Sequence, residues 1–178
     1  MKIVDLALPL FRGMPVFPGD PDVKIFPVQT YSNDQWNMLR LEVNGHDGTH
    51  VNVPLHATAQ GKNLDDYQIG DFLGNSLVFQ KPADIQTDKG IIFSDHDLTQ
   101  DLAELVVSVK PKFVGLSSQF EFNVEVERFL LEKGVISFER LINTDQLPRG
   151  KEFMFYGLPL RIKKGDGSPV RAIAVIED

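Results

Sequence analysis

The chain has 178 residues, with 18 lysines and arginines against 25 aspartates and glutamates, a formal net charge of −7. That length suits one domain over residues 1–178, with a core large enough to need no disulfide. The acidic balance would repel nucleic-acid phosphates, which leaves a small-molecule substrate as the expected partner.

Cysteine is absent, so a bound metal would have to be held by nitrogen and oxygen donors. No stretch approaches the roughly 18 apolar residues of a membrane span, and the opening MKIVDLALPL lacks the apolar core of a signal peptide. These features predict a cytoplasmic protein without a membrane partner.

In chain order, residues 1–10 read as a strand, and Pro15, Pro18, Gly19 and Pro21 punctuate a turn-rich segment in which Pro18-Gly19 suits the central pair of a type II turn. Residues 23–30 and 36–43 read as strands. In the second, Leu39, Leu41 and Val43 alternate with Arg40 and Glu42, which predicts one buried face. Trp36 reads as a core residue or as one that lines a pocket.

Beyond residue 56, a polar stretch through Gly61, Asp65, Asp66 and Tyr67 reads as a surface loop. Residues 76–79 and 90–93 read as strands, and residues 97–109 as a helix carrying Leu98, Leu102 and Leu105, with His96 beside its start as a solvated or capping residue. Residues 112–116 are strand-like. Asn123 can cap a helix with Val126, Phe129 and Leu130 at i, i+3 and i+4, closed by Gly134.

Residues 135–138 then read as a strand delivering Glu139 at its end. Residues 153–162 and 170–176 are expected to pair through the turn Lys164-Gly165-Asp166-Gly167, the second being apolar enough for a central strand. Many strands with about two helices predict a mixed α/β domain.

Three of the four histidines fall within His46-Asp47-Gly48-Thr49-His50-Val51-Asn52-Val53-Pro54-Leu55-His56. Gly48, Thr49, Val51, Val53 and Pro54 disfavour a helix here. In a strand, the even positions would form a polar side, with Val51, Val53 and Leu55 on the other. A straight strand would hold His46 and His50 roughly 13 Å apart, too far for one ion whose donors lie about 2.0–2.1 Å away. The backbone must therefore bend, and Gly48 is the residue that permits positive φ. The window reads as a bent loop feeding a short strand, its polar wall suited to metal or acid/base chemistry.

Taken together, Asp5-Leu6, the segment Met14-Pro15-Val16-Phe17-Pro18-Gly19-Asp20-Pro21, the histidine window, Phe138-Glu139-Arg140-Leu141, Leu158-Pro159-Leu160 and Gly165-Asp166-Gly167-Ser168-Pro169-Val170-Arg171-Ala172 resemble the cyclase family. That family includes bacterial kynurenine formamidase and isatin hydrolase. The resemblance implies a swivelling β/β/α domain, homodimers or larger assemblies, and a metal-dependent hydrolase that opens a linear or cyclic amide with a metal-activated water. The family motif reads His-x-Gly-Thr-His-x-Asp-x-Pro-x-His. It makes His46 and His50 ligands of a first metal and His56 the proton carrier, while Glu139 matches the glutamate of a second metal site. Trp36 and Thr49 are candidates for shaping the substrate pocket.

The pattern is broken at two positions. The bridging aspartate is Asn52, and the helix histidine expected twelve residues before Glu139 is Glu127. An amide oxygen is a poor bridge between two cations, so about one divalent ion per chain is expected. Because one exchange removes a negative charge and the other adds one, the formal ligand charge is kept. The donors shift toward oxygen, which suits harder ions such as manganese better than zinc. The competing expectation is a non-catalytic relative that binds a metal or small ligand; a scaffold role has no positive feature behind it.

Overall fold

The computed structural model describes residues 1–177. Its strands are, in chain order, β1 (Lys2–Asp5), β2 (Lys24–Gln29), β3 (Met38–Glu42), β4 (His50–Asn52), β5 (Leu73–Val78), β6 (Gly90–Phe93), β7 (Phe113–Ser117), β8 (Ser137–Leu141), β9 (Phe153–Tyr156), β10 (Gly167–Pro169) and β11 (Ile173–Ile176). The helices are a single turn α1 (Tyr31–Asp34) and the longer α2 (Gln100–Val109) and α3 (Val124–Glu132). All strands but β2 and β3 join one nine-stranded sheet, in the order β1-β11-β9-β5-β6-β7-β8-β4-β10. This is the mixed α/β architecture expected, and no helix among the described residues is long and apolar enough to cross a membrane.

The centre of the sheet, β5 to β8, is parallel. Parallel neighbours need a crossover, and α2 and α3 supply it between β6 and β7 and between β7 and β8. Both faces are consequently buried. Ile91, Phe93, Val114 and Leu116 pack with Ala103 and Val106 of α2 and Val126 and Leu130 of α3. On the opposite face, Ile92 joins Phe113, Phe138, Phe153 and Phe155, with Val51 and Val53. The rings of Phe113, Phe138 and Phe155 meet pairwise at 4.9–5.2 Å between centroids, each such contact contributing about 0.5–1.5 kcal/mol beyond area burial.

Several local expectations hold. Asp20 N donates to Phe17 O at 3.0 Å across Pro18-Gly19, with Gly19 at φ +100°, as a type II turn requires. Asn123 Oδ1 caps α3 by accepting from Glu125 N at 2.9 Å, and Gly134 follows the helix at φ +84°. His96 is exposed, its ring edge-on to Phe79. The stretch after residue 56 is partly ordered by a 3-10 turn, Leu64–Asp66, capped by Asn63.

Three expectations need correction. Glu139 lies in the middle of β8, not beyond its end. The pairing of residues 153–162 with 170–176 holds only for β9 and β11, because Pro159 cannot sustain a ladder and the Lys164-Gly165 turn leads instead into β10, which pairs with β4. The third concerns the face predicted for Leu39, Leu41 and Val43. They are 60%, 55% and 38% exposed, and Trp36 is 71% exposed. β2 and β3 pair only with each other among the described residues, and the apolar side chains of β3 stand exposed. A two-stranded ribbon is marginal alone in water.

Candidate metal and acid/base site

The bend falls where the sequence places it, at Gly48, whose φ is +63° and where a Cβ would stand 2.8 Å from Leu10 Cδ2. It turns His46 back so that its ring lies 5.3 Å from that of His50 and 3.8 Å from that of His56, centroid to centroid. β4 runs between β8 and β10, with His50 opposite Glu139 and Asn52 opposite both Ser137 and Gly167. Since Val51 packs in the core under the sheet, alternation sends His50 and Asn52 to the face that α3 covers. Glu127 reaches them there from the first turn of α3. His56 ends the 3-10 turn Pro54–His56 and is exposed.

Asn52 is fully buried and links the cluster. Its amide nitrogen donates to Oε1 of Glu127 at 2.7 Å and to Oε1 of Glu139, so its carbonyl oxygen is left facing His46 Nδ1, 2.7 Å away. The other nitrogen of His46, Nε2, lies 2.9 Å from Asp166 Oδ2. His50 Nδ1 donates to Gly48 O at 2.8 Å, a partner that only accepts. That leaves His50 Nε2 directed at Glu139 Oε1, 3.4 Å away.

The chemistry of these nitrogen and oxygen donors suits a cation. Ligands about 2.0–2.1 Å from one ion are roughly 2.8–3.4 Å apart along the edges of octahedral or tetrahedral shells. The His50–Glu139 separation has that size and the His46–Asn52 separation is near it. His50 is held by its outer nitrogen in the manner of a ligand whose ring is oriented from behind. Ser137 Oγ, the one buried side-chain polar atom without a partner among the described residues, sits on the same face by register with Asn52. Among the described residues, the group of three such side chains whose ligand atoms all lie within 4.8 Å of one another is His46, His56 and Asp166.

The electrostatics are uneven across the cluster. Burial and the charge of Glu139 push the Glu127 carboxyl up to about 9, so it keeps its proton at neutral pH. Burial opposes ionisation of Glu139 too, but contacts with His50, Glu127 and Asn52 outweigh it and hold that carboxyl well below the ordinary range. Two adjoining carboxylates thus share one proton. Burial, assisted by neighbouring His46, lowers His56 below the usual imidazole value against the opposing pull of Asp166.

The sequence-predicted residues His46, His50, Asn52, Glu127, Glu139 and His56 are therefore brought together. Thr49 and Trp36 are not part of the cluster. The Thr49 hydroxyl donates to Arg140 O at 2.7 Å and accepts from Leu8 N at 2.8 Å, clamping β4 to its neighbours. It borders a cleft of about 540 Å³ with Leu8, Leu10, Leu160 and Val170 that none of the histidines lines. Trp36 stands exposed beside the ribbon. Asp166 is the residue that sequence reasoning passed over; it read there as part of a turn, although a carboxylate between two glycines was the available signal.

Comparison with known proteins bears on the family and the fold. The family model described as Putative cyclase matches residues 4–138. The kynurenine formamidase of Salinibacter ruber is 26% identical over 210 residues, an alignment covering 97% of each chain. Among solved structures, isatin hydrolase A from Labrenzia aggregata superposes with a TM-score of 0.80 at 17% identity, over 99% of this chain and 94% of that one. A protein described as a potential metal-dependent hydrolase with cyclase activity gives 0.78 at 20% identity, over 99% of both.

Proposed function

The chain belongs to the Putative cyclase family, and from that premise we propose that it is a metal-dependent hydrolase of a linear or cyclic amide, arylformamidase-like in its substrate class. The observation that carries the reading is a cluster of nitrogen and oxygen donors in which His46 pairs with Asn52 and His50 with Glu139 and in which the ligand atoms of His46, His56 and Asp166 lie within 4.8 Å of one another, a set suited to one zinc or manganese ion per chain. The activity named for the Salinibacter ruber relative supports the substrate class. Residues 1–178 act as one domain, since the first strand and the last are hydrogen-bonded neighbours.

When bound, the ion supplies Lewis acidity, polarising an amide carbonyl and making a coordinated water acidic enough to attack near neutral pH. The chain's own residues do the rest. Glu139, ionised, and Asn52, neutral, would line the reacting centre together with His50 and His46. His56, unprotonated at neutral pH, takes the proton of the attacking water and returns a proton to the amide nitrogen as the carbon–nitrogen bond breaks. The products are a carboxylic acid and an amine.

The test is to offer an N-formyl aromatic amine and a cyclic aryl amide to protein reconstituted with zinc or manganese. Turnover of at least one above a chelated control is expected. Protein that holds metal yet turns over neither would remove this substrate class and favour a non-catalytic binding role.

A homodimer belongs to the same reading. The uncovered ribbon presents Trp36, Met38, Leu39 and Leu41 to solvent, and apolar patches of this kind mark association surfaces. In light scattering after size exclusion, the double change Leu39→Asp with Leu41→Asp is expected to convert dimer to monomer with the fold retained. A wild-type protein of monomeric mass would dismiss the dimer.

A further inference from the structure

We propose that Trp36 at the tip of the β2–β3 ribbon seats in the cleft between Leu8–Leu10 and Leu160–Val170 of a second copy of this chain, and that the two copies exchange tips reciprocally. The inference rests on the homodimer reading above and names the surface that covers the ribbon.

The tip is built to hold an exposed tryptophan still. Thr30 N donates to Asp34 Oδ2 and Tyr31 N to Asn37 Oδ1, each at 2.9 Å. Gln35 closes the single turn α1 at φ +61°, its N–H on Tyr31 O. Trp36 follows, 71% exposed. A large ring left in water on an ordered turn is a pre-organised anchor, because little freedom remains to be lost when it binds.

The cleft offers what the indole lacks. Its volume is about 540 Å³, and Leu8, Leu10, Leu160 and Val170 give it apolar walls. Asp5 lies at its rim and supplies an acceptor for the indole N–H, which needs a partner once buried. Leu160 and Leu158 are 63% and 43% exposed, so the apolar surface continues from the cleft onto its lip.

Charge and area point to a second copy as the occupant. Residues 20–42 carry Asp20, Asp22, Asp34 and Glu42 against Lys24 and Arg40, a net charge of −2. Residues 158–171 carry Arg161, Lys163, Lys164 and Arg171 against Asp166, a net charge of +3 in a chain whose total is −7. The two surfaces attract, whereas two ribbons laid together would repel. Val28, Tyr31, Trp36, Met38, Leu39 and Leu41 are 47–71% exposed. At roughly 150–250 Å² for a large side chain, they offer on the order of 600 Å², near the roughly 800 Å² per partner of a standard interface. Tip and cleft are different patches, so a two-fold axis makes the contact twice, while a one-way contact would propagate into filaments.

The chain has a single tryptophan, so its fluorescence reports the tip alone. Wild type, Trp36→Ala and Leu160→Asp are compared by light scattering after size exclusion, with circular dichroism to confirm the fold; both side chains are exposed within one chain, so neither change opens its core. Each variant should weaken the dimer about 30-fold or more, as expected of an interface anchor. Wild-type emission should shift to the red as dilution frees the tip. An equimolar mixture of the two variants should dimerise at concentrations where neither does alone, because the Leu160→Asp chain keeps an intact tip and the Trp36→Ala chain an intact cleft. A Leu160→Asp protein that dimerises like wild type, or variants that stay monomeric when mixed, would overturn the cleft as the seat. If Leu39→Asp with Leu41→Asp is monomeric in the same experiment, the ribbon-mediated homodimer survives that failure; a monomeric wild type removes both.

Discussion

His56→Ala is expected to leave the metal content near one ion per chain and to lower amide hydrolysis by about 10²–10⁴-fold, the loss typical of a missing general acid/base group. The geometry separates the two roles. His46 and His50 each have one nitrogen turned into the buried cluster, whereas His56 stands at the exposed edge and touches the cluster through the face of His46 and through Asp166. Removing it takes away a proton carrier and leaves the buried donors in place. His50→Ala should behave differently, lowering metal content and activity together. Because burial lowers the His56 pKa, the acidic limb of kcat/KM should lie below the ordinary imidazole value of about 6.5, and the His56 variant should lose that limb. Elemental analysis after dialysis, paired with the amide assay across pH, reads all of this. A His56→Ala enzyme as active as wild type would keep the hydrolase and remove His56 from the chemistry.

The parts of this molecule that follow local rules were legible in the sequence. The turn at Pro18-Gly19, the cap at Asn123 and the bend at Gly48 each depend on one residue's own conformational preference. The gathering of Glu127 and Glu139 beside the histidines was legible only through the resemblance, since spacing alone does not say that α3 crosses the face of β4. Two features escaped for tertiary reasons. Alternation in Leu39, Leu41 and Val43 signals a strand with an apolar side, but whether that side is covered depends on what packs against it, and among the described residues it stands exposed. Asp166 escaped because a glycine-flanked acid reads as turn chemistry. Its place against His46 arises from the pairing of β10 with β4, a contact between residues more than a hundred positions apart.

Asn52→Asp and Glu127→His, made singly and together, are expected to show strongly non-additive metal stoichiometry. At present the Asn52 amide nitrogen donates to both glutamates, and Glu127 keeps a proton beside ionised Glu139. Asn52→Asp removes those donors and sets three carboxyl groups against one another in a buried space. Without added cation this should destabilise the fold, since each buried polar group left unsatisfied costs about 1–3 kcal/mol and a charged one more. Glu127→His alone replaces a protonated carboxyl with an imidazole and takes away the oxygen that accepts from the Asn52 amide. The double change restores the donor pattern of the family motif, with a carboxylate able to bridge and an imidazole above it, and should raise the content from about one ion per chain toward two. Residues in one hydrogen-bonded network couple by about 0.5–3 kcal/mol, so the metal-free melting temperatures of the four proteins should fail to add as well. Stoichiometries that add, or that do not respond, would show that Asn52 and Glu127 are independent departures and that the charge exchanged between them compensates nothing.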